Sequence, residues 1–413
     1  TGPTPVRGRL RVPGDKSVSH RALLLGALAG GTTTITGLSA GGDVARTRSA
    51  VEALGAAVDE VHGEVRVTGG RLHEPAAVLD VGNSGTAIRL LAGVCAGVDG
   101  ISVLAGDASV AARPMDRVAA PLRAMGATVD GRGGGRWPPL VVRGGRLRGI
   151  DYELPVPSAQ VKGAVLLAGL AADGETVVRE RAATRAHTEE LLAAFGADVA
   201  VDREAGTVRL RPSRLRGTAV AVPGDPSQAA FWVVAACAVP GADLVVEDLY
   251  LGPARAGFLD VLARMGADLE VDRRAGAVRA RGGPLKGIDV GGDEVPGLVD
   301  EVPALAVAAA CADGESRFTG LGELRLKESD RLATVAAMLL AFGAGVAPLA
   351  DGFVVAGGGG LRGAVVDAAG DHRIAMAAAV AGLAAAGETT VTGWDAVATS
   401  YPGFEEDLRR CTP

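Results

Sequence analysis

Hydrophobic and polar positions follow a long period along this chain. Six stretches of helical length are apolar on every side, and each begins in a short polar loop: DKSVSHRALLLGAL from Asp15, GNSGTAIRLLAGV from Gly82, PSAQVKGAVLLAGL from Pro157, DPSQAAFWVVAACA from Asp225, DEVPALAVAAACA from Asp300 and DHRIAMAAAVAGLAA from Asp371. Their starts lie 67, 75, 68, 75 and 71 residues apart, which marks a repeated folding unit. Helices of Ala, Leu and Val without a polar face must be buried. Their first turns present unsatisfied N–H groups and the positive end of the helix dipole, both suited to anions. The polar residues at those starts are therefore where chemistry is expected.

After each apolar helix come a Gly, a β-rich run, a loop and an amphipathic helix. Five amphipathic helices end alike, in EALGAAV, RAMGATV, AAFGADV, ARMGADL and AFGAGV, which predicts C-terminal caps at Gly55, Gly126, Gly196, Gly266 and Gly343. Alternating stretches such as ADVAVDREAGTVRLRP and ADLEVDRRAGAVRARGG follow and predict hairpins. One unit then reads as buried helix, strand, amphipathic helix and three strands. The sixth amphipathic segment, FEEDLRRC, has no Gly-Ala pair, and the strand its unit lacks is expected from GRLRVPG near the N-terminus.

The sequence VPGD occurs at Val12–Asp15 and again 210 residues later at Val222–Asp225, about three units on. The echo predicts two three-unit domains, residues 14–224 and residues 1–13 with 225–413, hinged near 12–15 and 222–226 around a cleft. A chain of 413 residues is ample for two cores, and 48% hydrophobic with 22% charged residues is a globular balance. The longest apolar runs are too short and Gly-rich for a membrane span, and no signal-peptide pattern is seen. A net charge of −6 and 3% aromatic residues disfavour nucleic acid, which wants a basic face and stacking rings. Cys95, Cys237, Cys311 and Cys411 lack metal-type spacing and read as buried thiols of a cytoplasmic protein. The patterns GxxxxGK[ST], HExxH and GxSxG are absent.

Although the chain is acidic, its unit loops concentrate Lys16, Arg21, Arg89, Arg113, Arg185, Lys327, Arg331 and Arg373. If the helix starts converge, these cations converge with them. Such a cluster suits phosphates and carboxylates, with Arg as a bidentate fork and Lys as a point charge. A substrate pair with several negative charges is implied. Taken singly, each position has a plainer reading. GNSGT is a turn, KESDR a solvated helix start with Glu328 and Arg331 at i,i+3, Asp371 an N-cap, and Asp300-Glu301 a capping pair. Lys16-Ser17 cap a helix, Arg113 before Pro114 fixes a loop, and Arg185 and Arg331 are surface charges. Their recurrence at equivalent places in the repeat favours a site.

In chain order, DKSVSHRALLL, GNSGTAIRLL, ARPMDR, PSAQVKGAVLLAGL, LRLKESDR and DHRIAMA resemble the 5-enolpyruvylshikimate-3-phosphate synthase family, from Arg9 to about Leu408. The resemblance implies an α/β (α+β) fold, a two-domain inside-out α/β barrel of six βαβαββ repeat units, three per domain. It implies transfer of the enolpyruvyl group of phosphoenolpyruvate to the 5-hydroxyl of shikimate-3-phosphate, a shikimate-pathway step toward aromatic amino acids. Matching motif to motif, shikimate-3-phosphate contacts Lys16, Ser17, Arg21, Ser158, Ala159 (through its backbone), Gln160, Arg185, Asp300 and Lys327. Phosphoenolpyruvate contacts Lys16, Gly85, Arg113, Gln160, Arg331 and Arg373. The implied catalytic groups are Asp300, which takes the hydroxyl proton, and Glu328 with Lys16, which protonate the methylene and take a proton back. The resemblance implies no metal or organic cofactor, and a monomer acting on two small molecules with neither nucleic acid nor membrane as partner.

Three positions depart from the family pattern: Ala159 where some members have Ser, His20 where many have Asn, and Thr399 where many have a Lys on phosphoenolpyruvate. Gly85 is kept, so the pocket should also admit glyphosate. The closest rival, UDP-N-acetylglucosamine enolpyruvyl transferase, carries a reactive Cys in the loop equivalent to GDASVAARPMD, and here that loop has none. A non-catalytic anion binder is the rival from another class, and it has no use for Lys16, Asp300 and Glu328 as acid–base groups.

Overall fold

Each apolar stretch folds as a helix: α1 (Lys16–Leu28), α2 (Gly85–Ala96), α3 (Ala159–Gly169), α4 (Pro226–Ala238), α5 (Val302–Cys311) and α6 (His372–Ala384). The computed structural model from which these bounds come describes residues 2–412 except Asp293. Burial is nearly complete around each axis: in α4 every residue from Pro226 to Cys237 is buried, and in α5 every residue from Val302 to Ala310. With no polar face to show to water, these helices form the centre of their own compact unit and the sheets its walls.

Five of the six starts are capped by a side chain. Asp15 accepts from the N–H of Val18 at 3.0 Å, Ser84 from Ala87 at 3.2 Å and Ser158 from Val161 at 3.3 Å. Asp225 accepts from Ser227 at 2.8 Å and Asp371 from Arg373 at 2.9 Å. Only α5 starts without a side-chain cap. The amphipathic helices stop where the sequence predicts: Gly55, Gly126, Gly196, Gly266 and Gly343 have φ of 104°, 113°, 82°, 84° and 83°, a left-handed turn that Gly adopts without steric cost.

The fold is mixed α/β with many short strands. Among the described residues there are five open four-stranded sheets of one order and two two-stranded ones. In each four-stranded sheet one parallel pair is followed by two antiparallel pairings. The parallel pair usually brackets a buried helix. Leu79–Asp80 and Gly100–Ala105 flank α2, Asp151–Glu153 and Thr176–Arg179 flank α3, and Asp289–Val290 and Glu315–Phe318 flank α5.

At α1 and α4 the pairing is exchanged. Arg7–Arg11, just before α1, pairs with Asp243–Glu247, which follows α4. Ala219–Ala221, just before α4, pairs with Gly31–Thr36, which follows α1. The chain therefore divides at the two VPGD sequences: one compact unit ends at Pro13 and resumes at Pro223, and the other spans Gly14–Val222. Each VPGD is held in place by its surroundings. A Cβ on Gly14 would lie 1.9 Å from the Gly37 carbonyl oxygen. At the second copy, the Asp225 N–H donates to the Pro13 carbonyl at 2.9 Å.

The N-terminal strand thus completes the sheet after α4, not that of the sixth unit. Its register sets Leu10 opposite Val246, both buried in the same core. Around α6 a two-stranded sheet pairs Val365–Asp367, before the helix, with Thr390–Thr392, after it, and an aromatic cluster packs against the core there. Phe404 lies 5.0 Å from Trp232, 5.3 Å from Tyr401 and 5.9 Å from Trp394, centroid to centroid. Among the described residues no helix is long and apolar enough to cross a membrane.

Candidate active site

In the unit Gly14–Val222 the candidate groups sit at the starts of α1, α2 and α3. Lys16 is the first residue of α1, and its Nζ donates to Asp43 Oδ2 at 2.9 Å, in the first turn of the helix Gly42–Ala53. One turn on, Arg21 is buried. Its Nε donates to Thr188 Oγ1 at 2.6 Å, Nη1 to the Ser17 carbonyl at 2.9 Å and Nη2 to the Ala159 carbonyl at 3.3 Å. Arg21 thereby ties α1 to the start of α3, and a direct contact with substrate would compete with these bonds. His20, on the same turn, is fully enclosed, with Nδ1 2.7 Å from Thr47 Oγ1. Burial above all, aided by Lys16 and Arg21 and opposed by Asp43, depresses its imidazole to about 3, so it is neutral at ordinary pH.

Gly85 opens α2. A Cβ there would stand 2.4 Å from Arg113 Nη1 and 3.3 Å from Arg89 Nη1, so its absence makes room for two guanidinium groups. Arg113 is buried and donates to Ser109 Oγ at 3.0 Å. Arg89 reaches across to Gln160 Oε1 at 2.6 Å, and Gln160 Nε2 returns to Thr86 Oγ1 at 2.9 Å, joining the starts of α2 and α3. Ser158 caps α3 and Ala159 begins it. Arg185 is half-buried in the segment leading into the helix His187–Ala194.

In the other unit the groups gather around one buried guanidinium, that of Arg331, 1% exposed. Its Nε donates to Asp371 Oδ2 at 2.7 Å and its Nη2 to Glu328 Oε2 at 2.6 Å, and Nη1 lies 3.5 Å from Asp300 Oδ1. Lys327 Nζ donates to the same Asp300 oxygen at 3.3 Å, and Arg373 Nη1 to the Asp300 carbonyl at 2.9 Å. Burial alone would lower the Arg331 guanidinium, but Asp371, Glu328 and Asp300 more than offset it and hold it above its usual range. Burial would likewise raise the Asp371 carboxyl, and Arg331 outweighs this, leaving it below the usual carboxylate range. Asp300 and Glu328 keep 16% and 13% of their side chains exposed, enough to meet a ligand.

These contacts decide several sequence readings. Asp300-Glu301 is not a capping pair: Asp300 faces Lys327 and Arg331, while the buried Glu301 receives Arg255 Nη1 at 3.2 Å. Arg331 is no surface charge, and Asp371 both caps α6 and pairs with Arg331. Sequence reasoning missed Asp43, Thr188 and the Arg255 cluster, because nothing in their local pattern separates them from an ordinary helix start or loop. Thr399 is half-buried at the end of the turn Trp394–Thr399. A cavity of about 650 Å³, lined among others by Leu28, Val94, Leu167, Arg71 and Arg214, lies at the opposite ends of α1–α3 and includes none of the candidate residues.

In each unit cations stand at helix starts, a setting for anions, and in the unit of Arg331 two accessible carboxylates beside them can move protons. Comparison with known proteins narrows that class. A family model for EPSP synthase (3-phosphoshikimate 1-carboxyvinyltransferase) matches residues 1–408. A 3-phosphoshikimate 1-carboxyvinyltransferase of Synechococcus sp. (strain JA-3-3Ab) is 50% identical over 418 residues, 98% of this chain and 94% of that protein. One from Roseiflexus castenholzii is 49% identical over 423 residues, 99% of this chain and 98% of that protein. The structure of EPSP synthase from Acinetobacter baumannii superposes with a TM-score of 0.87 at 43% identity, covering 100% of this chain and 97% of that one. The enolpyruvyl transferase NikO from Streptomyces tendae shares the fold at 19% identity, with a TM-score of 0.81 over 99% of this chain and 96% of that one. This chain belongs to the EPSP synthase family.

Proposed function

We propose that the chain transfers the enolpyruvyl group of phosphoenolpyruvate to the 5-hydroxyl of shikimate-3-phosphate and releases inorganic phosphate, a shikimate-pathway step toward aromatic amino acids. Family membership supports this. The observation that carries it is the meeting of Asp300, Lys327, Glu328 and Arg373 around the buried Arg331.

The chemistry is addition followed by elimination. Asp300 accepts the 5-hydroxyl proton as the oxygen attacks the central carbon of phosphoenolpyruvate. Glu328 gives a proton to the methylene, which becomes a methyl group, and Lys16 is the second group assigned to this proton transfer. The adduct then collapses: the C–O bond to phosphate breaks, a methyl proton returns to Glu328, and the double bond re-forms. Lys16, Gly85, Arg113, Gln160, Arg331 and Arg373 hold phosphoenolpyruvate. Lys16, Ser17, Arg21, Ser158, Ala159, Gln160, Arg185, Asp300 and Lys327 hold shikimate-3-phosphate. Binding two anions side by side costs repulsion, which the cations offset while fixing the attack geometry.

The recurring sheet order and the exchanged strands support reading the fold as the inside-out barrel of six βαβαββ units. The reading also takes the protein to act as a monomer in the cytoplasm. Its test is product identification by mass spectrometry: shikimate-3-phosphate incubated with phosphoenolpyruvate should gain one enolpyruvyl group. Folded protein that leaves both substrates unchanged would overturn it.

A further inference from the structure

Lys162 lies one turn into α3, and its side chain is fully buried. Its Nζ is 2.8 Å from Glu180 Oε2 and 2.8 Å from Glu189 Oε1. The mechanism above uses none of the three. An ammonium in a protein interior is retained only with partners, and here two carboxylates supply them. Hydrophobic packing would fill the same volume without that desolvation cost. The placement of the two partners is what gives the cluster its meaning.

Glu180 follows the strand Thr176–Arg179, and Glu189 lies in the first turn of the helix His187–Ala194. One buried cation thus pins both ends of the intervening segment, which carries Arg185. Within it Thr184 Oγ1 donates to Glu180 Oε1, adding a third tether. At the far end, Thr188, next to Glu189, accepts from Arg21 Nε at 2.6 Å, and Arg21 in turn donates to the carbonyls of Ser17 and Ala159. The same first turns of α3 carry Ser158, Ala159, Gln160 and Lys162.

We infer that Lys162 is a positioning residue for recognition of the phosphorylated sugar acid. By clamping Glu180 and Glu189 to α3, it holds Arg185, Thr188 and through Thr188 Arg21 in register with Ser158 and Gln160. The inference rests on the proposed reaction, since it assigns these groups to shikimate-3-phosphate. Gly85 opens α2 and Arg113 donates to Ser109, both outside the segment between Glu180 and Glu189, so phosphoenolpyruvate recognition should be spared.

The test is two-substrate steady-state kinetics on the full chain with Lys162→Met and with the triple variant Lys162→Met/Glu180→Gln/Glu189→Gln, each beside wild type and with thermal melts. The triple variant removes the cation together with both charges and so guards against an unfolded single variant. The expected result is a KM for shikimate-3-phosphate raised on the order of tenfold or more in both, with the KM for phosphoenolpyruvate within about twofold, a split that mere loss of stability does not give. Wild-type KM for shikimate-3-phosphate in the folded triple variant would overturn the inference, as would equal rises in both KM values. If wild type itself does not turn over shikimate-3-phosphate, the proposed reaction fails instead, and the two failures are distinguishable.

Discussion

Arg331 Nε stands 2.7 Å from Asp371 Oδ2, joining the first residue of the helix Arg331–Ala341 to the residue that caps α6, with both side chains at most 1% exposed. The pair sets the position of a guanidinium that also holds Glu328 and faces Asp300. Asp371→Asn keeps a capping oxygen but removes the charge, leaving a buried cation short of one partner. Breaking such a pair costs about 3 kcal/mol or more. Chemical denaturation should show that loss, and steady-state kinetics should show a raised KM for phosphoenolpyruvate. A variant as stable as wild type would contradict the role.

Gly85→Ala is predicted to act on Arg113. The added methyl would stand 2.4 Å from Arg113 Nη1, closer than atoms pack, so the guanidinium must shift. The KM for phosphoenolpyruvate should rise about tenfold or more, the scale of one displaced charged contact, while the melting temperature changes little. An unchanged KM would remove Arg113 from the phosphoenolpyruvate pocket.

The acid–base assignments separate by kinetics. Asp300→Ala should lower kcat far more than it weakens shikimate-3-phosphate binding, and equal losses would point to a binding role. Glu328→Gln should slow turnover roughly 10²-fold or more, the usual scale of general acid–base catalysis. Lys16→Met should abolish turnover, and normal turnover would withdraw its role. If Glu328→Gln remains fully active, Lys16 is the next proton donor to test.

His20 gives the protein a pH-dependent stability. Its folded value of about 3 lies below the ordinary 6.5, so between these limits the unfolded chain binds the extra proton. Stability is therefore full above about pH 6.5 and falls as the pH drops toward 3, by about 4 to 5 kcal/mol in all. Urea titrations across that range should show the slope, and His20→Asn should flatten it. The same slope in the variant would place the titration elsewhere.

The thiols should be inert under native conditions. Burial pushes Cys95 up to about 11 and Cys237 and Cys311 up to about 12, and the thiolate is the reactive form. Alkylation at neutral pH should leave the buried Cys95 and Cys237 unmodified and turnover intact, with the half-buried Cys311 slower than a free thiol, whereas rapid labelling of Cys95 or Cys237 before unfolding would contradict their burial.

Much of this molecule was legible because burial leaves a periodic trace. The six apolar helices and the five capping glycines stand out in sequence, since a helix without a polar face can only go inside and a left-handed turn wants Gly. Motif resemblance also picked out Asp300, Lys327, Glu328, Arg331 and Arg373, which the structure brings together. Partnership leaves no such trace. Arg255 and Glu301 are 46 residues apart and Lys162 and Glu189 are 27 apart, and neither spacing is a period of a helix or strand. The destination of the N-terminal strand is illegible in the sequence for the same reason. Its alternation marks a strand, but the choice between two sheets depends on whether Leu10 meets Val246, a contact across 236 residues.

The most direct measurement is phosphate release from phosphoenolpyruvate by the purified chain, with shikimate-3-phosphate in one reaction and UDP-N-acetylglucosamine in another. Release is expected with shikimate-3-phosphate alone. Release only with the nucleotide sugar would contradict the substrate, and release with neither, from folded protein, would contradict the reaction itself.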